Sequence, residues 1–410
     1  LDDIYLYYSK EMYELEQKDN RYVYCLNQLK ERTGKTFNVH KIIKQDLAEV
    51  HIFDYFLTEF RNQIDSIISE EKCELYLNVS SGTPAMKSAL QVLGTIYSKP
   101  ITTIQVVTPS KKYNEHREDV KGEYEVELQW ELDMDNQEDY VNRCSISTNV
   151  NLAAELKKEI IKKQIHNYEY LAASSISEEI DAFLNPEVKK LLYAAEFRLK
   201  LDRVTCKKWL KDTNYKMFPH ESGNEIDCFE YLLMLRIKML KEQHIDFIRG
   251  ITPLFVTLLE KIVERETSIK PDEYYIQQKG INGTMSARWD AQKIQSNPLL
   301  YSILSMDGKK ELRNGYVLSS HFVDILEMCS HNTELKQLVS SIRQVEEKIR
   351  NPLAHCITYM TEEVIRNETG HSTQNIFDML RKLMIFAGIK VTDEDLRSYE
   401  LCNQHIERML

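Results

Sequence analysis

The sequence predicts an α/β N-terminal domain, a Rossmann-like parallel sheet, followed by an all-α C-terminal half. Three observations carry this. Two β-branched and aromatic runs, Glu74–Val79 and Thr102–Val107, flank a segment whose apolar residues Met86, Ala89, Leu90, Leu93 and Ile96 share one helical face. Strand, helix and strand with short joins form a βαβ unit, which calls for a parallel sheet. From about Asn136 onward the strand signal fades and apolar residues recur at helical spacing. Only 12 Gly and 9 Pro occur in 410 residues, which disfavours long flexible linkers and many-turned all-β folds.

Taken in order, Ile4-Tyr5-Leu6-Tyr7-Tyr8 is a first short strand, and the βαβ unit supplies the next two. Val126, Leu128, Trp130 and Leu132 then alternate with Glu125, Glu127, Gln129 and Glu131. Strict period two predicts a strand with one wet, acidic face, at an edge or in a hairpin. Amphipathic helices are expected over 151–172, 175–202 and 225–245, and over 251–266 with Pro253 in the first turn. The polar stretch Lys279–Thr284 reads as an exposed loop, and helices resume at 318–330, 334–350, 352–366 and 373–387. A chain of 410 residues exceeds what one core serves. The expected division is an α/β domain over 1–135, a helical connector over 136–245 and a second helical domain over 246–410.

The formal net charge of −11 excludes a broad basic face of the kind that grips duplex nucleic acid. Any RNA would be held in a small, locally basic cleft, and stable DNA binding is not expected. The eight cysteines (Cys25, Cys73, Cys144, Cys206, Cys228, Cys329, Cys356 and Cys402) are scattered with no C-x-x-C pair. That is the pattern of thiols in a reducing compartment, so a cytoplasmic protein is expected. The histidines are equally dispersed, and no metal site is expected. No apolar run approaches the ~20 residues of a membrane span. The chain opens Leu1-Asp2-Asp3 without an initiator Met, and reads as the ordered part of a longer polypeptide.

Asn78-Val79-Ser80-Ser81-Gly82-Thr83-Pro84 joins the second strand of the three to the following helix. Thr83 is a good N-cap, and Pro84 takes the first helical position, where its missing N–H costs nothing. Gly82 allows close backbone approach. The first-turn amides and the hydroxyls of Ser80, Ser81 and Thr83 make a site for anions, placed where open α/β sheets bind ligands. The plainer reading is a capped helix start with no ligand. Gly82-x4-Lys87-Ser88 has a superficial likeness to a Walker A loop, but Met86 stands where its second glycine must be, and that reading is rejected.

Leu335, Leu338, Ile342, Val345 and Ile349 give one buried helical face, after which comes Arg350-Asn351-Pro352-Leu353-Ala354-His355. Pro352 should end or kink the helix, with Asn351 capping the next one and His355 one turn inside it. RNA carries its own nucleophile, the 2′-OH, so no metal is needed to make one. A neutral imidazole at His355 would take or position that proton, for ~10²–10⁴ in rate. The Arg350 guanidinium and the Asn351 amide would hold phosphoryl oxygens as charge builds. In the plainer alternative Arg350 pairs with Glu346 or Glu347 and His355 caps a core helix. One arginine and one histidine are a thin site, which a symmetric dimer would double.

Together the two motifs resemble those of the CARF–HEPN ribonucleases of type III CRISPR systems, the Csm accessory endoribonucleases above all. Leu77–Met86 is similar to the ligand-binding motif of their CARF sensor, and Arg350–His355 to the HEPN R-x4–6-H motif. The resemblance covers nearly the whole chain in order: sensor, helical connector, helical nuclease. It implies a homodimer that binds a cyclic oligoadenylate activator through Asn78, Ser80, Ser81, Gly82 and Thr83. It implies single-stranded RNA as substrate and a composite nuclease site containing both Arg350–His355 couples. Hexa-adenylate is the favoured activator and tetra-adenylate the alternative; no cofactor is implied. Thr83 is the candidate for slow cleavage of the messenger ring. In the family a further strand and Gly-containing loop precede what is Leu1 here and supply the other half of the messenger site. The competing reading is a nucleotide-sensing regulator whose helical half binds protein or nucleic acid without cutting it.

Overall fold

The computed structural model describes residues 2–69, 74–97, 101–107, 124–136, 140–147, 149–220, 223–279, 285–305, 315–353 and 359–410. It divides into two compact units, Leu1–Leu156 and Lys157–Leu410.

In the first unit, β1 (Asp3–Tyr8) lies parallel to β2 (Asn38–Ile43), with α1 (Lys10–Asp19) and α2 (Arg21–Thr33) between them in sequence. Next come α3 (Phe53–Ser69), β3 (Leu75–Asn78), α4 (Pro84–Ile96) and β4 (Ile101–Val106). β3 and β4 are parallel, as the βαβ pattern predicts, with Leu75 opposite Ile101. The core is an aromatic and aliphatic layer of Phe56, Phe60, Ile64 and Ile68 from α3, Leu77 from β3, and Ala85, Ala89 and Leu93 from α4. Tyr7 of β1 packs against the same layer. Among the described residues of this unit the strands form two ladders, β1–β2 and β3–β4–β5, where β5 (Cys144–Ser147) runs antiparallel to β4.

The strand expected at residues 126–132 is instead a short helix, α5 (Val126–Leu132). The physical reason is that period two stabilises nothing without an edge to pair with. The free edge of β4 is taken by β5, whereas α5 keeps its bonds within itself and has the Trp130 carbonyl capped by Asn136.

The second unit continues α6 (Val150–His166), which begins in the first, with α7 (Tyr170–Glu179), α8 (Pro186–Leu199), α9 (Arg203–Leu210), α10 (Asn224–Leu240) and α11 (His244–Thr267). Two of the long helices expected here are divided. Tyr168, in the left-handed region at φ 57°, ends the first, and Asn185-Pro186 opens α8 with Asn185 accepting from the Glu187 N–H. α11 is the central helix, burying Phe247, Ile251, Leu254, Phe255, Leu258 and Ile262. It starts at His244, so Pro253 lies in its interior rather than its first turn. Pro253 faces outward, where water can serve the carbonyl that its absent N–H leaves free.

The helical half also contains a β-hairpin that periodicity did not reveal, β6 (Tyr275–Lys279) and β7 (Met285–Trp289), antiparallel to each other. Of the loop expected over 279–284, residues 280–284 lie outside the described residues. Then follow α12 (Ala291–Gln295), α13 (Pro298–Leu304), α14 (Ser319–Cys329), α15 (Thr333–Val345), a π-helical turn over Glu346–Arg350, α16 (Asn351–Leu353), α17 (Glu362–Thr369), α18 (Thr373–Phe386), α19 (Asp393–Leu396) and α20 (Ser398–Met409). A helix spanning 352–366 is not formed: Tyr359 and Met360 are non-helical, and Thr361 starts α17 by accepting from the Val364 N–H.

A buried ion pair ties this unit together. Arg198 of α8 donates through Nε and Nη2 to Glu230 of α10, at 2.7 and 2.9 Å, and through Nη2 to Ser398 of α20 at 2.9 Å. Its guanidinium lies 4.2 Å from the Tyr399 ring centre. Among the described residues no helix is long and apolar enough to cross a membrane.

Candidate functional site

In the first unit the loop from β3 to α4 takes the conformation its residues favour. Thr83 is extended (φ −68°, ψ 161°) and caps α4, accepting from the Met86 N–H at 3.4 Å. The same hydroxyl donates to the Val50 carbonyl at 2.6 Å, pinning the loop to the segment ahead of α3. Asn78 accepts from the Ser80 N–H at 2.9 Å and donates to Ser81 Oγ at 3.3 Å, which closes a tight turn. Ser80 Oγ accepts from the Val106 N–H at 2.6 Å and so braces the end of β4. Gly82 sits at φ +95°, and a Cβ there would meet Met86 Sδ at 3.0 Å. Asn78, Ser81 and Gly82 are exposed, whereas Ser80 and Thr83 are partly covered. The structure therefore gathers all five residues into one loop at the carboxyl end of β3. Two of their hydroxyls are already engaged with the scaffold.

In the second unit the R-x4-H segment departs from the expected helix–stop–helix. Asn351 is not an N-cap: its backbone is helical (φ −67°, ψ −45°) and its N–H reaches back five residues to the Glu346 carbonyl. The helix widens by one residue instead of stopping. A π-turn gives Pro352 room for its ring, which would clash with the carbonyl four residues back in a regular α-helix.

What holds the widened turn is Glu346, a carboxylate only 2% exposed. It accepts from Thr252 Oγ1 of α11, from Ser319 Oγ of α14 at 2.6 Å, and from Arg343 Nη1 of α15 at 3.1 Å. Arg343 also pairs with Glu347 at 3.0 Å. Both acids near the motif are thus taken by Arg343, and Arg350 pairs with neither. Its Nη1 instead donates to Asn351 Oδ1 at 3.2 Å, leaving the guanidinium half-exposed beside an exposed amide. Farther on, Arg249 Nη2 donates to the Leu353 carbonyl at 2.8 Å. His355 lies outside the described residues, so the structure brings together Arg350 and Asn351 of the expected catalytic set.

Sequence reasoning missed Thr252, Ser319 and Arg343, and named Glu346 only as a partner of Arg350 in the plainer alternative. One signal was available: Glu346 stands four residues after Ile342, an acid on the apolar stripe, and a buried acid needs donors.

Three family models match the chain in succession: the Csm6 CARF domain over residues 39–144, the CRISPR-associated protein Csm6 6H domain over 147–199, and the Csm6 HEPN domain over 217–407. The CRISPR system endoribonuclease Csm6 of Mycobacterium tuberculosis is 26% identical, covering 99% of this chain and 91% of its own length. The enzyme of the same name from Enterococcus italicus is 22% identical over 90% of this chain and 84% of its own. The solved structure of Enterococcus italicus Csm6 bound to cyclic hexa-2′-fluoro-hexa-dAMP superposes with a TM-score of 0.65 at 18% identity, covering 100% of this chain and 92% of that one, which shows a shared fold. With a parallel-sheet unit carrying the β3–α4 loop, a helical unit carrying Arg350, and these matches in the same order, the chain belongs to the Csm6 family of CRISPR-associated CARF–HEPN endoribonucleases.

Proposed function

We propose that this chain is a metal-independent single-stranded RNA endonuclease of type III CRISPR immunity, switched on by a cyclic oligoadenylate at the β3–α4 loop. The observation that carries this is Arg350. Among the described residues it has no carboxylate partner, although Glu346 and Glu347 are close in sequence and both bind Arg343 instead. An arginine whose two neighbouring acids are held by Arg343, at the end of a turn locked from three helices, is prepared for a phosphate.

In the reaction, the imidazole of His355 takes the 2′-OH proton and the 2′ oxygen attacks the adjacent phosphorus. Arg350 and Asn351 hold the non-bridging oxygens as charge builds. The bond to the 5′ oxygen breaks and that oxygen takes a proton, leaving a 2′,3′-cyclic phosphate and a 5′-hydroxyl. Two chains in a homodimer supply two such couples. The activator is hexa-adenylate, with tetra-adenylate as the alternative, bound by Asn78, Ser80, Ser81, Gly82 and Thr83. Thr83 also supports slow opening of the ring.

The test is cleavage of a single-stranded RNA in EDTA with cyclic hexa-adenylate, cyclic tetra-adenylate or no ligand, for wild type, Arg350→Ala and His355→Ala. Ligand-stimulated cutting is expected in wild type. In both variants it falls by ~10²-fold or more while ligand binding persists. Unchanged cutting in the variants rejects the site, and a strict need for magnesium or manganese rejects the mechanism.

A further inference from the structure

The segment around Tyr316 runs alongside the β6–β7 hairpin as an isolated bridge: the Trp289 N–H donates to the Gly315 carbonyl at 2.9 Å, the Val317 N–H to the Ala287 carbonyl at 3.3 Å, and Tyr316 bridges Arg288. Directly paired residues on adjacent strands share a face. The inner face carries Trp289, 4% exposed, which stacks edge-on with Tyr275 and donates from Nε1 to His321 Nδ1 of α14 at 3.0 Å. The opposite face presents a row of Ile276 of β6, Arg288 of β7 and the bridging Tyr316. Tyr316 is 58% exposed and Ile276 39%. The Arg288 guanidinium lies 4.3 Å from the Tyr316 ring centre. Among the described residues Arg288 makes no ion pair, and its Nε has no hydrogen-bond partner. In a chain of net charge −11, a cation with no carboxylate partner among the described residues, set 4.3 Å from the centre of an exposed aromatic ring, has the chemistry of a single-stranded nucleic-acid platform. A base stacks on such a ring and the neighbouring phosphate meets the arginine.

The platform also lies near the motif. Three residues lead from Tyr316 to Ser319, which hydrogen-bonds Glu346, and Glu346 is one turn before Arg350. That path is about 10 Å of extended chain, the side-chain bridge from Ser319 to Glu346 and one helical turn, within reach of a short oligonucleotide.

We propose that this outer face is a substrate subsite, Tyr316 stacking an RNA base and Arg288 taking an adjacent phosphate; it rests on the RNA-cleaving activity proposed above. It is tested in the full chain by fluorescence anisotropy with a 2′-O-methylated single-stranded RNA, which cannot be cut by 2′-OH attack, alongside kinetics on the unmodified RNA at saturating activator. Tyr316→Ala and Arg288→Ala are each expected to raise Kd and KM roughly ten-fold with kcat nearly unchanged, and Tyr316→Phe to restore both. Wild-type Kd in Tyr316→Ala overturns the subsite. So does a change in sedimentation with no change in RNA affinity, which makes the face a protein contact. If wild type binds the methylated RNA through Tyr316 but does not cut the unmodified RNA under any activator, the cleavage reading fails and the subsite stands.

Discussion

Glu346 touches no substrate in the proposed reaction, yet it decides where Arg350 points. A π-turn is a helix with one residue too many, and it tightens to a regular turn unless something restrains it. Tightening would rotate everything beyond it by roughly a quarter of a circle. The restraint is a carboxylate fixed by Thr252, Ser319 and Arg343 from three helices. Glu346→Gln keeps the shape and weakens the hold. It is expected to lower kcat by ~10²-fold with KM and melting temperature little changed, as checked by steady-state cleavage beside a thermal melt. A purely structural glutamate would show the reverse. At this scale the sequence was informative about Thr83 and Pro84, because capping is local chemistry. It was silent about the π-turn, because two of the three donors to Glu346, Thr252 and Ser319, come from elsewhere in the chain. Asn351 was assigned a cap for the same reason: nothing local shows that the helix passes through Pro352.

Among the elements, those with an unbroken apolar stripe were legible, α4, α14, α15 and α18 foremost. Those whose identity depends on a partner were not. β2 is interrupted by His40 and Lys41, β5 is four short residues with two serines, and α5 mimics a strand until the edge it would need is filled by β5. The joint between α8, α10 and α20 is likewise invisible to periodicity, since an arginine at position 198 looks like surface. Its burial beside Glu230 makes a clear expectation. Arg198→Ala leaves a carboxylate 3% exposed without its cation, costing about 3–5 kcal/mol, which a calorimeter would record as a melting temperature lower by on the order of 10 °C. Arg198→Met combined with Glu230→Leu should recover much of that, because an apolar pair removes the unpaired charge.

At the scale of the molecule, Arg198 lies in the stretch matching the 6H domain, and Glu230 and Ser398 in the stretch matching HEPN. The connector helices and the nuclease helices thus share one compact unit. The six cysteines among the described residues are all free thiols, in keeping with the scattered spacing of the sequence. Burial pushes the Cys206 and Cys402 thiols up to about 12. At pH 8 an alkylating reagent should therefore spare both in the native protein and label the exposed Cys144, as peptide mass spectrometry would show. The two ladders of the first unit have a consequence of a different kind. β1 pairs on one side with β2, and β3 on one side with β4, so each leaves a row of peptide groups with no strand alongside among the described residues. Tyr5 and Leu6 on the one and Tyr76 on the other give those rows a greasy flank. Such margins adhere to any extended chain that meets them, so concentrated stocks of this polypeptide would be expected to clump edge to edge unless another strand covers them.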